Sequence, residues 1–143
     1  MNPIAKLQPL FAEFMGMKIT HLSTERIEAE LPVREELSNR NGIMHGGAIM
    51  AFADNMGGTG ACANLPEGAS TTTIESKTNF FAAIPVGDTA RAETTPLHRG
   101  RTTMVWQTRI TRGDGKLAAI VTQTQLVLTR KPQERSQDAA RKQ

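Results

Sequence analysis

The chain has 143 residues, of which 38% are apolar, 22% charged and 4% aromatic, as is typical of one globular domain with a single core. It contains no run of about 18 apolar residues, and its first ten residues lack a signal-peptide pattern, so we expect a cytoplasmic protein with no membrane partner. A single cysteine excludes an internal disulfide, and three scattered histidines without ligand partners argue against a metal site.

The net charge of +3 lies in the last fourteen residues, where five Lys or Arg accompany two acidic residues. The rest of the chain is therefore neutral, and it has one Trp and no Tyr. Nucleic-acid binding needs basic surface interleaved with stacking rings, so no nucleic-acid partner is expected. We predict a single domain over residues 1–129 and a basic, flexible tail over 130–143.

The amino-terminal part predicts a helix and then a strand. Apolar residues recur at spacings of three and four from Pro3 to Gly16, the period of an amphipathic helix. The period changes to two over 18–33, which predicts a strand with one wet face. Polar residues with Asn and Gly over 34–44 predict a loop. The residues of the predicted helix stripe are Ile4, Leu7, Leu10, Phe11 and Phe14.

A central segment, residues 46–63, predicts a helix that is almost free of charge. Gly57, Gly58 and Gly60 each cost a helix about 1 kcal/mol relative to Ala, so burial has to compensate. We therefore predict that a sheet wraps this helix and that its small residues allow close backbone approach. The predicted inward face consists of Ile49, Phe52, Ala53, Met56 and Gly60.

The remainder is rich in Thr and predicts four strands, which cover 71–83, 88–98, 102–111 and 117–129. Glycine-containing turns separate them, and an Asp-Gly pair lies in the last turn, which favours consecutive antiparallel hairpins. The predicted architecture is α+β, with a four-strand meander that curls around the central helix.

Asp54 stands out in the central helix because no Lys or Arg lies within four residues of it. It lies about 140° around the helix from Ile49, so it should point away from the core, toward a cleft or another subunit. A carboxylate in such a place can act as a general base. From spacing alone, a cap or a hydrogen bond to another buried element explains Asp54 equally well.

The second signal is the run His45, Gly46 and Gly47 at the start of the helix. The first N–H groups of a helix lack partners and lie at the positive end of its dipole, where they stabilise a developing oxyanion. His45 could donate a hydrogen bond or fix the loop, and Asn39 adds a further polar group. A purely structural turn is the alternative interpretation.

The separation of Gly46 and Asp54 restricts any shared mechanism. Eight residues of helix span about 12 Å, which is too far for both groups of one chain to act on one carbonyl carbon. Two antiparallel copies of the helix would bring the amino end of one beside the middle of the other. If both groups are catalytic, the protein is a homodimer with two composite sites.

Signatures of other enzyme classes are missing from the sequence. It has no G-x-S-x-G motif, no Lys-Ser or Lys-Thr after the glycines at 57–60, and no strand directly before those glycines. Cys62 lies late in the helix, where the dipole disfavours a thiolate, so we interpret it as a core thiol.

Three segments carry one further pattern: SNRNGIMHGGAIMAFADNMGG, TTTIESKTNFFAAIPVGD and HRGRTTMVWQTRI. Asn39, Gly42, the His45 motif and Asp54 are spaced as in a known family, and the likeness covers about residues 15–129. The chain thus resembles the hotdog-fold acyl-CoA thioesterases, specifically the PaaI-like phenylacetyl-CoA thioesterase branch of the 4-hydroxybenzoyl-CoA thioesterase superfamily. The resemblance implies an antiparallel curved sheet wrapped around a long helix, with no metal and no cofactor.

The resemblance also implies roles for individual residues. Gly46 N–H would polarise the thioester carbonyl with help from His45, and Asn39 would help to place the water or the histidine. Asp54 of the other subunit would act as general base or nucleophile. Thr73 matches a Ser or Thr that positions the water, with Thr72 as the alternative if the register differs by one.

The implied substrate is an acyl group on coenzyme A or a carrier pantetheine, bound by a homodimer that relatives often extend to a homotetramer. Gly47 and Phe80 would contact it, and Arg99 and Arg101, which we expect to cluster with Arg112 at hairpin turns, could meet phosphates or remain solvated. An acyl hydratase or dehydratase and an acyl-CoA-binding module without turnover remain alternatives. Candidate acyl-pocket residues are Met15, Met17, Met50, Met56, Phe80 and Phe81, which could equally be core.

Overall fold

The computed structural model describes residues 1–129, so the predicted tail over 130–143 lies outside the described residues. A six-stranded antiparallel sheet contacts one face of a long helix. None of the helices in residues 1–129 is long and apolar enough to cross a membrane. The helices are α1 (Leu10–Met15) and α2 (Gly46–Ala63), and the strands are β1 (Lys18–Leu22), β2 (Ile27–Pro32), β3 (Ser70–Phe80), β4 (Thr89–Arg99), β5 (Thr103–Thr111) and β6 (Leu117–Leu128).

The predicted central helix is confirmed as α2, and its predicted inward face is buried against the sheet. Two of its glycines are needed because side chains of the sheet lie against the helix backbone. A Cβ at Gly57 would lie 2.1 Å from Cδ of Gln123, and one at Gly60 would lie 2.8 Å from the ring of Trp106. Gly58 differs, since nothing lies within 4 Å of the position of its missing Cβ.

The different surroundings of Gly58 and Gly60 predict that a change to alanine has opposite effects on stability at these two positions. Gly60→Ala should destabilise the protein by about 1–3 kcal/mol, because the new methyl group overlaps a fully buried Trp106 ring. Gly58→Ala should stabilise it by up to about 1 kcal/mol, because alanine favours the helix and meets open space. Urea unfolding at one protein concentration measures both values, and equal signs for the two variants would contradict this account.

The predicted amino-terminal helix is instead two short helices. A 3-10 helix covers Pro3–Lys6, and α1 begins only after Pro9, whose missing N–H and effect on the preceding residue interrupt a continuous helix. The buried residues here are Ala5, Ala12 and Met15. The predicted apolar stripe is exposed on the described chain: Ile4, Leu7, Leu10, Phe11 and Phe14.

The strand predicted over 18–33 is two strands, β1 and β2, that pair with each other. Ser23 makes the turn between them, because its Oγ accepts hydrogen bonds from the backbone N–H groups of Glu25 and Arg26 at 3.3 and 3.1 Å. The predicted alternation is confirmed in β2, where Ile27, Ala29 and Leu31 are buried.

The predicted meander is correct for β4, β5 and β6 but wrong for β3. The sheet order is β1-β2-β4-β5-β6-β3, so β3 pairs with β6 at one edge rather than with β4. A register shift between Thr73 and Glu75 marks a β-bulge in β3. The order leaves the far side of this 11-residue strand unpaired within the described chain.

Candidate active site

The loop before α2 is closed by Asn39. Its Oδ1 accepts hydrogen bonds from the N–H groups of Asn41 and Ile43 at 2.8 and 3.4 Å, and Gly42 adopts a left-handed φ of 73°. Two backbone hydrogen bonds fix the residues that follow the loop: Met44 N–H donates to the Ile84 carbonyl and His45 N–H donates to the Leu37 carbonyl, each at 2.7 Å. Asn39 therefore shapes the loop that delivers the amino end of α2.

His45 is the N-cap of α2, and its Nδ1 accepts the N–H of Gly47 at 2.8 Å. In the neutral imidazole the hydrogen is then on Nε2, which is left as a donor. Gly46 N–H has no acceptor among residues 1–129. The Phe80 ring packs over Gly46, with two ring carbons 3.4 Å from where a Cβ would lie. The sequence thus brings one free amide, one imidazole and one aromatic wall to the same place.

Asp54 is exposed on α2, and its carboxylate is held by two side chains of the sheet. Thr73 Oγ1 on β3 donates to Asp54 Oδ1 at 2.7 Å. Gln123 Nε2 on β6 approaches the same oxygen at 3.3 Å and the Asp54 carbonyl oxygen at 3.2 Å. Thr73, rather than the alternative Thr72, is the threonine that contacts Asp54.

Two recesses that are lined by residues of α2 adjoin these groups. A groove of about 420 Å³ beside Asp54 runs between α2, the start of β3 and the amino-terminal segment, and its walls include Leu7, Gly58 and Cys62. Burial raises the pKa of the Cys62 thiol, which disfavours a thiolate there. A smaller recess of about 250 Å³ adjoins His45 and Gly47, with Phe11, Phe14, Met15, Leu37, Ala48 and Ala51 among its walls.

The family is shown by comparison of the sequence with protein-family models. Residues 41–119, which include the amino end of α2, Asp54 and Thr73, match the model described as the thioesterase superfamily. This chain belongs to the thioesterase superfamily. A protein of Saccharolobus solfataricus is 31% identical over 82% of this chain and 87% of its own length. The proofreading thioesterase EntH of Cronobacter turicensis is 28% identical over 66% of this chain and 69% of its own length.

Solved structures confirm the predicted hotdog fold of this thioesterase-superfamily member. The crystal structure of a Haemophilus influenzae thioesterase superposes with a TM-score of 0.79 at 27% identity, covering 83% of this chain and 82% of that one. The six-stranded antiparallel sheet around one long helix is therefore the shared architecture.

The arginines of this superfamily member do not form the expected cluster. Arg99 lies near the end of α2, where its two terminal nitrogens donate to Glu25 at 2.7 and 3.1 Å. Arg112 lies at the opposite end of β5 and binds Asp114, an interaction that lowers the pKa of Asp114 to about 2. Arg101 is exposed and forms no ion pair with residues 1–129.

The apolar residues that we considered for the acyl pocket are partly in the core and partly on the surface. Met15 and Met56 are buried, Met17 packs partly against the core, and Met50, Phe80 and Phe81 are exposed.

Two buried glutamines of the site, Gln123 and Gln125, are not predicted from the sequence; each is 1% exposed on the inward face of β6. The available signal was their spacing. Val121, Gln123 and Gln125 are two residues apart, so the polar pair falls on the face that Val121 places in the core. Two amides on the buried face of a strand require polar partners, and Thr73 and Asp54 are those partners.

Proposed function

We propose that this protein hydrolyses acyl-CoA thioesters to a free acid and CoA in a site composed from two subunits of a homodimer. The observation that carries the proposal is Asp54, a carboxylate held at the edge of an open groove on the same helix whose amino end presents the N–H of Gly46. Membership of the thioesterase superfamily supports thioester hydrolysis as the reaction.

In the proposed mechanism, Asp54 takes a proton from water while the water oxygen bonds to the thioester carbonyl carbon. Negative charge develops on the carbonyl oxygen, which accepts a hydrogen bond from the N–H of Gly46 at the positive end of α2. The Nε2–H of His45 lies beside this N–H. The C–S bond then breaks, and the thiolate recovers the proton from Asp54. Because a thioester has little resonance stabilisation, one carboxylate and one oxyanion site suffice without a covalent intermediate.

The two halves of this site come from different chains in the proposal. Gly46 and Asp54 are about 12 Å apart along α2, so each reacting carbonyl would use the amino end of one helix and the carboxylate of its neighbour. Two features support such a dimer. The outer edge of β3 is unpaired, and an unpaired edge can extend into the sheet of a second copy. The amino-terminal apolar stripe is also exposed, and contiguous exposed apolar surface is typical of interfaces.

The two recesses suggest where the substrate lies. We assign the apolar recess beside His45 to the acyl group, since Phe11 and Phe14 form its wall. We assign the groove beside Asp54, whose walls mix apolar and hydroxyl side chains, to the pantetheine arm. Arg99 lies at the far end of α2, about 15 Å beyond Asp54, and Arg101 follows it by two residues in the chain, so we assign both to the CoA phosphates.

A panel of aryl, short-chain and long-chain acyl-CoAs tests the proposal by following thiol release. We expect turnover, and the acyl groups that are hydrolysed fastest identify what the recess beside His45 accepts. Hydration of enoyl-CoA without thiol release would favour a hydratase. Tight binding without turnover would favour an acyl-CoA-binding module.

A further inference from the structure

A chain of hydrogen bonds leads from the buried face of β6 to the carboxylate of Asp54. Gln125 is 1% exposed, and its Nε2 lies 2.6 Å from Thr73 Oγ1. Thr73 Oγ1 lies 2.7 Å from Asp54 Oδ1. On the other side of the amide, Thr71 Oγ1 lies 3.1 Å from Gln125 Oε1 and 2.9 Å from the Leu126 carbonyl oxygen.

The direction of this chain follows from what each group can donate. An ionised carboxylate only accepts, and a hydroxyl has one hydrogen. The contact between Thr73 and Asp54 therefore consumes the hydrogen of Thr73. The group of Gln125 that touches Thr73 must then be its NH₂, because an amide oxygen there would face a second acceptor without a hydrogen between them.

The result is an asymmetric carboxylate. Oδ1 of Asp54 receives Thr73 Oγ1–H and also faces Nε2 of Gln123 at 3.3 Å. Oδ2 receives no hydrogen bond from any side chain or backbone group in residues 1–129. Since Asp54 is exposed and lines the groove, Oδ2 is the oxygen that is left for a ligand or water.

We propose that Gln125 is a positioning residue that acts through Thr73 to hold Asp54 by Oδ1, so that Oδ2 is the atom that takes the proton from water. This inference rests on the proposed thioesterase function. It also revises the role that the family resemblance gives to Thr73. With its hydrogen committed to Asp54, Thr73 orients the base and has no hydrogen to donate to the water.

The sharpest test is a substitution that reverses the direction of the hydrogen bond between Gln125 and Thr73. Gln125→Glu keeps the shape of the side chain but replaces the amide NH₂ by a carboxyl oxygen, which is a negatively charged acceptor once the introduced carboxyl ionises. Thr73 can then donate to the new carboxylate instead, and Asp54 loses its donor beside a like charge, which disfavours its ionised form. We expect kcat to fall by about tenfold or more with little change in KM. In the pH profile of kcat/KM, the loss of activity on the acidic side should move to higher pH.

Matched variants separate positioning from packing. Gln125→Met fills similar space but donates nothing to Thr73, so Thr73 is held less well and kcat should fall. Because this variant adds no charge beside Asp54, the acidic limb of the kcat/KM profile should stay in place. Thr73→Ser should retain activity, whereas Thr73→Val should lose about as much kcat as Gln125→Glu. Thermal unfolding of all four variants checks that they fold.

Wild-type kcat in both folded Gln125 variants, or full activity in Thr73→Val, would overturn the role of Gln125. Failure of the proposed function looks different, because the wild-type protein would then release no thiol from any acyl-CoA.

Discussion

Replacing Asp54 by asparagine should lower kcat for thioester hydrolysis by about two to four orders of magnitude, the usual contribution of a general base. Asparagine keeps the shape of the side chain, and its carbonyl oxygen can still accept the hydrogen bonds from Thr73 and Gln123. What it lacks is the ability to take a proton from water. Thiol release at saturating acyl-CoA measures the loss.

A second carboxylate provides the control for Asp54→Asn. Asp114 is also exposed, but its partner is Arg112 in the β5–β6 turn, away from both recesses. Asp114→Asn should therefore leave kcat unchanged. Full activity of a folded Asp54→Asn variant would remove Asp54 from the mechanism and leave the catalytic base unassigned.

Replacing Gly46 by proline should lower kcat by about 10²–10³, because proline removes the one N–H that we assign to the oxyanion. The backbone tolerates this change well. Gly46 is the first residue of α2, the helical position that proline prefers, and His45 before it is extended with φ −61° and ψ 135°. Gly46→Ala keeps the N–H and is the matched control, with only an ordinary contact to Phe80. Equal activity of the two variants would exclude the backbone amide as the oxyanion donor.

Mixing the two inactive variants tests whether the site spans two chains. A heterodimer of Asp54→Asn and Gly46→Pro has one composite site with both groups intact and one with neither. After unfolding and refolding of an equal mixture, activity should therefore recover to about a quarter of the wild-type value. No recovery, with heterodimers shown to form, would place both groups of each site in one chain.

Local patterns predicted those parts of the fold that local interactions determine. The bounds of α2 follow from the capping position of His45 and from the apolar spacing of Ile49, Phe52 and Met56, all of which are buried. The ends of β4, β5 and β6 follow from glycine-containing turns. The glycines of α2 correctly indicated a close sheet, since Gly57 and Gly60 face side chains of β5 and β6.

The predictions of strand pairing and burial were wrong where they depend on residues that are distant in the chain. The sequence around Pro85–Gly87 has the residues of a hairpin turn, yet β3 and β4 lie apart in the sheet because β3 pairs with β6. The exposed Phe11 and Phe14 have helical spacing, which indicates an apolar face but not what covers it. The turn at Ser23 was missed because a serine side chain makes it without glycine or proline.

The candidate site was only partly within reach of sequence reasoning. Gly46, His45 and Asp54 could be singled out because a glycine pair at a helix start and an isolated carboxylate are visible in one segment. Gln125 could not be tied to them, because its contact with Thr73 joins strands that are 52 residues apart in the chain.

The β-bulge in β3 allows two side chains of that strand to contact α2 at the same time. Side chains alternate along a strand, so Thr73 and Phe80, seven positions apart, would lie on opposite faces of a regular one. The bulge after Thr73 shifts the alternation by one residue, and both side chains consequently turn toward the helix, one to Asp54 and the other to Gly46. Without the bulge, a strand of the same length would turn one of these two side chains to the opposite face, so a single backbone irregularity keeps β3 in contact with both the carboxylate in the middle of α2 and the glycine at its amino end.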